Sequence, residues 1–494
     1  MTEHTLRPKL TIISDSFVDD IIEEAFAILD KVGIFVENSE AYSLLSEHGA
    51  KPIDSGNSVR GTGKLSFPKS LIEDALKSAP RTIQLYDVNG DNEINIGGDE
   101  VHFDPGSAAL YIHDPSEGRI RKPVTNDLRR FIKLVNKLDN YHIQSTALIS
   151  SDVPEKCGDS YRLYLALKLG FKPVITGIFE KESFSVMKDM LTSVRGSESA
   201  LKEKPLAIFD ACPSPPLMWS DLTSHSVIEA ARAGIPSEFV SMPLTGSTAP
   251  ITLSGAAVQH AAETLAGVFL AQTAQTGAPV IWGGSPSAMD LRYGTTPMGA
   301  IETMMIDMVD VAVGKKLGLP THAYMGLSDS KGVDYQAGQE SGLGIILAAL
   351  SGVNVVSGPG MMDFESCQSL EKLMLDHEVC GMAYRLLNGI SRRDDLMALP
   401  LLQSLPKGGH LLTNPHTLKW FREEISFPGK AIDRRARGSD KLEDLQTAEK
   451  RAQAEVERLL TEESEPYVST DVSDELDRLM VEEIKRLGGA GLPK

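Results

Sequence analysis

Across 494 residues the chain carries 41% hydrophobic and 24% charged residues, ordinary proportions for a folded protein with a large core. Its net charge of −19 argues against nucleic acid as a partner, because phosphate binding needs clustered Lys and Arg, while steering modestly favours a cationic substrate or a basic partner. Apolar runs stop short of a membrane span and Met1-Thr-Glu-His4 lacks a basic-then-apolar leader, so no membrane partner and a cytoplasmic location are expected.

Ser14–Val32 reads as an amphipathic helix, with Phe17, Ile21, Ile22, Ala25, Ile28 and Leu29 on one stripe. The strand Ile34–Val36, helices Ser39–His48 and Pro68–Ser78, and strand Thr82–Asp87 complete an α/β extension over residues 1–98. Val101–Asp114 reads as strand, Pro-Gly turn and strand. Helix and strand then alternate: helix Asn126–Lys137, strand Ile143–Ile149, helix Asp159–Leu169, strand Pro173–Thr176, helix Lys181–Val194, strand Leu206–Phe209, helix Asp221–Ala233 and strand Glu238–Met242.

After the loop Pro243–Pro250, an Ala-rich helix is expected over Ser254–Thr276. Val258, Ala262, Leu265, Phe269 and Gln272 give it one apolar face, with Ser254 as N-cap and Gly277 as the stop. A buried strand ends at Gly283-Gly284, followed by helix Ile301–Leu317, strand Pro320–Met325, the polar loop Ser328–Gln336, helix Gly338–Ser351, strand Val353–Val356 and helix Ser369–Leu387. The last strand is ambiguous and is placed near His410–Leu412. Alternation of this length, at intervals of roughly thirty to forty residues, predicts an α/β fold: a TIM (β/α)8 barrel over 99–438. A C-terminal helical tail, 439–494, would hold charged helices over Lys441–Glu463 (apolar at Leu442, Leu445, Val456, Leu459 and Leu460) and Asp474–Leu487, as a structural or oligomer-forming appendage.

Polar, irregular loops follow the strands, which puts the site at the carboxyl-end mouth. No Gly-x-Ser-x-Gly, His-Glu-x-x-His or Walker loop is present, so no catalytic nucleophile or metal set is assigned. Cys157, Cys212, Cys367 and Cys380 form no Cys-x-x-Cys pair and read as structural thiols in a reducing compartment. Aromatic and acidic residues gather at strand ends and mouth loops: Phe103, Asp104, Tyr111, Trp282, Tyr293, Tyr324, Asp329, Asp334, Tyr335 and Phe364. Aromatic faces hold quaternary ammonium groups at about 0.5–2 kcal/mol each, although any one of these rings also suits core packing. His410 could meet a substrate carboxylate or be structural. Arg292 is a second anion partner or one half of an ion pair.

Three stretches carry a family resemblance: Phe103–Asp114, Met242–Gly255 continuing to Gly267, and Ser328-Asp-Ser-Lys331 with Asp334-x-Gln-Ala-Gly338. Gly408-Gly-His-Leu and His416–Arg422 add to it. Together they resemble the trimethylamine methyltransferase superfamily, in its branch without pyrrolysine, where glycine betaine:corrinoid methyltransferases are found. The resemblance implies a TIM barrel that moves a methyl group from a quaternary amine, glycine betaine or a similar betaine, to Co(I) of a corrinoid (cobalamin) carried on a separate small protein. Phe103, Tyr111, Trp282, Tyr324 and Tyr335 would then cage the cation, Asp104 or Asp329 would balance it, and His410 and Arg292 would hold a carboxylate. Thr245, Gly246, Ser247, Gly283, Gly284 and Ser285 would face the corrinoid. A homo-oligomer is possible. The other readings are a barrel lyase or hydrolase acting on a small acid, and a non-catalytic quaternary-amine binder.

Overall fold

The computed structural model describes residues 6–53, 61–394, 397–438, 441, 445–463 and 465–493. Eight short strands form its centre: β1 (His102–Phe103), β2 (Gln144–Ser145), β3 (Val174–Gly177), β4 (Ala207–Ala211), β5 (Ser237–Ser241), β6 (Val280–Gly284), β7 (His322–Tyr324) and β8 (Val355–Ser357). β2 to β6 pair in parallel as one sheet, and β7, β8 and β1 as a second. The sheets meet at both edges. Trp282 of β6 bridges to Thr321 just before β7, and Phe103 of β1 bridges to Tyr141 just before β2. Strand neighbours therefore follow chain order, and the final pairing, β8 to β1, returns to the start.

Each strand is followed by a helix that packs outside the ring: α1 (Thr125–Asn136), α2 (Gly158–Leu169), α3 (Ser183–Arg195), α4 (Asp221–Ala233), α5 (Leu253–Ala274), α6 (Ile301–Leu317), α7 (Tyr335–Ser351) and α8 (Leu370–Leu387). The period of two along a strand sorts side chains between interior and helical layer. Ile143, Ile175, Ile208, Ile281 and Val355 form one buried cluster with Ile83, Leu85 and Ile96 of the antiparallel hairpin Thr82–Tyr86/Glu93–Gly97. That hairpin closes the floor, at the amino ends of the strands. The intervening residues face the helices: Phe209 meets Phe184 of α3 edge-on, and Phe103 meets Tyr384 of α8.

Three expectations are corrected. No strand forms at His410–Leu412; the ring is completed by β1, and its parallel pairing with β8, about 250 residues away in sequence, leaves no local signal. Helix α5 starts at Thr252 as N-cap, ends at Gln275, and is buried on every side from Ala256 to Gln272. Its apolar stripe is real, but helices Asp15–Lys31 and Lys69–Ser78 cover the outer face as well. The tail packs by one face as a structural element, but its first helix starts later than expected. Helix Ala448–Thr461 packs on α8 and α1, helix Thr470–Arg486 packs on α2 and α3, and Val456, Leu476, Met480 and Ile484 join the main core. The first tail helix begins at Ala448 instead of Lys441; Leu442 lies outside the described residues.

Candidate functional site

A cavity of about 290 Å³ opens where the strands end. Every strand except β2 contributes at or beyond its carboxyl end, among them Ser107 after β1, Gly177 in β3, Asp210 in β4, Val240 in β5, Ser285 after β6, Tyr324 in β7 and Glu365 after β8. At the remaining place stands Arg162 from α2, donating from Nη1 to Thr146 O at 2.7 Å and from Nη2 to Gly177 O at 3.4 Å. Phe179 covers its guanidinium at 4.6 Å from the ring centre.

Below the cavity a polar chain crosses the interior. Ser357 Oγ donates to Asp104 Oδ2 at 2.6 Å and lies 3.0 Å from His322 Nε2. With the hydroxyl proton committed to Asp104, His322 Nε2–H is the donor and Nδ1 is bare. Nδ1 then stands 3.2 Å from Glu238 Oε1, off the line of a hydrogen bond. Two bare acceptors at that distance repel, so this tautomer of His322 goes with a proton on Glu238. Burial supports that state: it drives Glu238 well above the ordinary carboxyl range, with Asp210 and Asp104 adding to the shift, and holds His322 neutral with a pKa of about 3.

The site is rich in buried carboxyl groups. Asp104, Asp210, Glu238 and Glu365 occupy one neighbourhood, and burial raises all four, Glu365 to about 8 with Asp210 adding to the shift. Asp104 Oδ1, Asp210 Oδ1 and both Glu238 oxygens have no hydrogen-bond partner among the described residues. Arg162 has no carboxylate within 4.0 Å among them, and its Nε is unpartnered, although it draws down the Asp210 shift over a longer distance. A buried guanidinium without an ion pair and buried carboxyls without donors are both costly, of order 1–3 kcal/mol or more each. A ligand carrying both charges would relieve both.

Glu365 reaches the cavity through a strained turn. Asp363, Phe364 and Glu365 have φ of 51°, 55° and 70°, three successive side-chain-bearing residues in the left-handed region. Such residues cost of order 1–3 kcal/mol each and persist where the surroundings hold them. Here Lys331 Nζ lies 3.2 Å from Asp363 Oδ1 and 3.7 Å from the Phe364 ring centre, while Asp363 N–H donates to Ser330 O.

Of the five aromatic residues expected in a cage, only Tyr324 lines the cavity. Phe103 and Trp282 face the helical layer, Trp282 donating from Nε1 to Asp310 O. Tyr111 lies half-exposed on a hairpin, and Tyr335 is 83% exposed at the start of α7. Their positions in the pleat and at helix starts send them elsewhere, so the expected cage is not assembled. Asp104 sits beneath the cavity. Asp329 lines a separate open groove of about 840 Å³ at the rim, where it accepts from Met298 N–H and Gly299 N–H. Arg292 lines that groove too, but is paired with Asp290 at 2.6 Å. His410 is exposed in the segment after α8 and lines neither space.

Among the small residues, Thr245 lines the groove, and Gly246 and Ser247 are exposed beside it. Ser285 is buried on the cavity wall, its Oγ unpartnered among the described residues. Gly283 and Gly284 lie inside the fold. A Cβ on Gly283 would stand 2.7 Å from Phe239 O and 2.9 Å from His322 Nδ1, and one on Gly284 would stand 2.4 Å from His260 Nε2.

Sequence reasoning missed Arg162, Asp210, Glu238, His322, Ser357 and Glu365. A signal exists for three of them. Asp210, Glu238 and His322 are ionisable residues at single positions inside short strands otherwise made of apolar or small residues, which is unfavourable unless the interior uses them. Arg162 and Glu365 belong to a helix and a loop, and only folding brings them over the ring.

The family model described as trimethylamine methyltransferase (MTTB) matches residues 2–488. The chain is 30% identical to a glycine betaine methyltransferase of Desulfitobacterium hafniense (strain Y51), across 98% of this chain and 99% of that protein. It is also 30% identical to a trimethylamine methyltransferase MttB of D. hafniense (strain DSM 10664 / DCB-2), across 86% and 84%. In three dimensions it resembles the Methanosarcina barkeri monomethylamine methyltransferase MtmB, with a TM-score of 0.52 at 9% identity, over 98% of this chain and 89% of that one; this likeness concerns the fold alone. With a family match running almost end to end, the chain belongs to the trimethylamine methyltransferase family.

Proposed function

We propose that this protein, in the cytoplasm, transfers a methyl group from a quaternary amine, glycine betaine or a similar betaine, to Co(I) of a corrinoid carried on a separate small protein. The ring is read as a TIM (β/α)8 barrel with its site at the carboxyl-end mouth. One observation carries the reading: the carboxyls of Asp210 and Glu365, with Asp210 Oδ1 unpartnered, and the Arg162 guanidinium, which has no ion pair among the described residues, share one small cavity. Asp210 and Glu365, with the face of Tyr324, hold the permanent cation. Arg162 takes the carboxylate of the betaine, the role that sequence reasoning gave to His410 and Arg292.

In the transfer the N–CH3 bond breaks, its electron pair stays on nitrogen, and a neutral tertiary amine leaves. Co(I), the nucleophile, is brought by the partner, so no side chain of this chain has to attack or protonate. The cavity excludes water and aims one methyl group outward. Positive charge disperses during transfer, so carboxylates that gripped the ground state too tightly would slow it. Carboxyls that readily take up a proton moderate that grip. The rim groove, with Thr245, Gly246 and Ser247 at its edge, is where the corrinoid face would approach, and Ser285 lies on the wall of the cavity itself.

The test is a cobalt absorbance assay with reduced corrinoid carrier and a panel of glycine betaine, carnitine, proline betaine, choline and trimethylamine. Methylation of cobalt from a quaternary amine is the expected result. Transfer from trimethylamine alone would overturn the substrate assignment, and calorimetric binding without transfer would leave a binding protein.

A further inference from the structure

Two mouth loops meet beside the cavity, and they are held very differently. The loop after β7, residues 328–334, stands on neighbouring elements. Glu340 of α7 accepts from Ser328 Oγ and Asp329 N–H, and Asp329 accepts from Met298 and Gly299 N–H in the loop after β6. The tip after β8, residues 363–366, joins the antiparallel strands Met361–Met362 and Cys367–Gln368. Hairpin tips usually give left-handed positions to Gly or Asn; here Phe364 and Glu365 fill two of them, next to Asp363 in a third. The tip rests on the loop after β7 through Asp363 N–H, which donates to Ser330 O, and through Lys331. The Lys331 ammonium donates to Asp329 O at 2.7 Å, and reaches out to Asp363 Oδ1 and the face of Phe364.

The tip separates two spaces. Lys331 and Phe364 line the rim groove, whereas Glu365 lines the cavity. There Glu365 shares the lining with Asp210 of β4, Cys212 just after it, Tyr324 of β7 and Arg162 of α2, and Asp104 is near enough to feel its charge. Two buried carboxyls for neighbours favour turning Glu365 out to water, and relaxation of the left-handed backbone favours the same movement. Something outside the cavity has to oppose both. We infer that Lys331 is a positioning residue for the amine site: its grip on Asp363 and Phe364 from the groove side keeps the tip in place and Glu365 turned inward. This role in amine binding rests on the methyl-transfer reading; the placing of Glu365 does not.

Carbon-13 NMR of the full chain labelled at its glutamate carboxyls tests this, with the Glu365 resonance identified by its loss in Glu365→Gln. In the parent, Glu365 should titrate at about 8. In Lys331→Met it should move toward the ordinary carboxyl range, about 4.3, while Lys331→Arg, which keeps a cation for both partners, should stay with the parent. Asp363→Asn, which releases the ammonium from the other side, should move the resonance in the same direction as Lys331→Met. Calorimetry with glycine betaine and choline gives the second readout. Lys331→Met should lose roughly tenfold in affinity in the parent and nothing further in Glu365→Gln, because a residue that acts through another is not additive with it. An unmoved Glu365 titration in both Lys331→Met and Asp363→Asn would overturn the inference, whether or not an amine binds. So would affinity losses that add across Lys331→Met and Glu365→Gln. Failure of the parent to bind any amine would instead sink the methyl-transfer reading, and the titration would still decide what Lys331 holds.

Discussion

His322 Nδ1 and Glu238 Oε1 stand 3.2 Å apart across the interior of the ring, and the intervening wall position, Gly283, has no side chain to separate them. A neutral imidazole facing a buried carboxyl links Glu238, through Ser357, to Asp104. It also makes position 283 a sensitive one.

Gly283→Ala puts a methyl group 2.7 Å from the backbone oxygen of Phe239 and 2.9 Å from His322 Nδ1. The backbone oxygen cannot move cheaply, so the imidazole must. Denaturant unfolding is expected to show a loss of about 1–3 kcal/mol, as for other overpacked cores, together with weakened amine binding. Unchanged stability would mean that His322 is not held where the structure places it.

Glu238→Gln tests the buried proton. Folding raises the pKa of this carboxyl. Below the ordinary carboxyl range both states hold the proton; above it the unfolded chain loses it first, so stability falls as pH rises, by up to about 1.4 kcal/mol per unit until the folded pKa is reached. Glutamine removes this contribution. Thermal unfolding of the variant across the neutral range should be flatter with pH than the parent's, and the variant should gain most at the alkaline end. Parallel curves would show that Glu238 is ionised in the folded protein.

Binding of a permanent cation should also depend on pH, although the ligand itself does not titrate. Burial raises Asp210 and Glu365, the latter to about 8, and a bound cation favours their ionised forms. Affinity should rise with pH through this range, by up to about tenfold per unit for each proton released. Calorimetry in buffers of different ionisation heat would report that release directly. Glu365→Gln should reduce both affinity and proton release; a variant with the parent's pH profile would remove Glu365 from the site.

Arg162→Gln should separate betaines from simpler cations. Losing a charged hydrogen bond of about 1.5–3 kcal/mol predicts a loss of roughly ten- to a hundred-fold for carboxylate-bearing amines. Choline, which has no carboxylate to place there, should lose little or gain. An equal loss for both ligands would make Arg162 a structural counter-charge to Asp210.

By itself the sequence determined the order of elements, because each helix and strand announces its own period and punctuation. Asp221–Ala233 and Ile301–Leu317 were legible to the residue, and the motifs Met242–Gly255 and Ser328–Lys331 carried the family. Tertiary structure alone decided how the ring is completed, since a two-residue strand at His102–Phe103 takes its meaning from Val355 and Val356 far along the chain. It also decided the site. Whether Phe103, Trp282 or Tyr324 meets a ligand depends on which face of the pleat each occupies, and a one-residue shift in register reverses that face. The charges that matter, Arg162, Asp210 and Glu365, come from a helix, a strand and a strained turn that only the closed fold brings together.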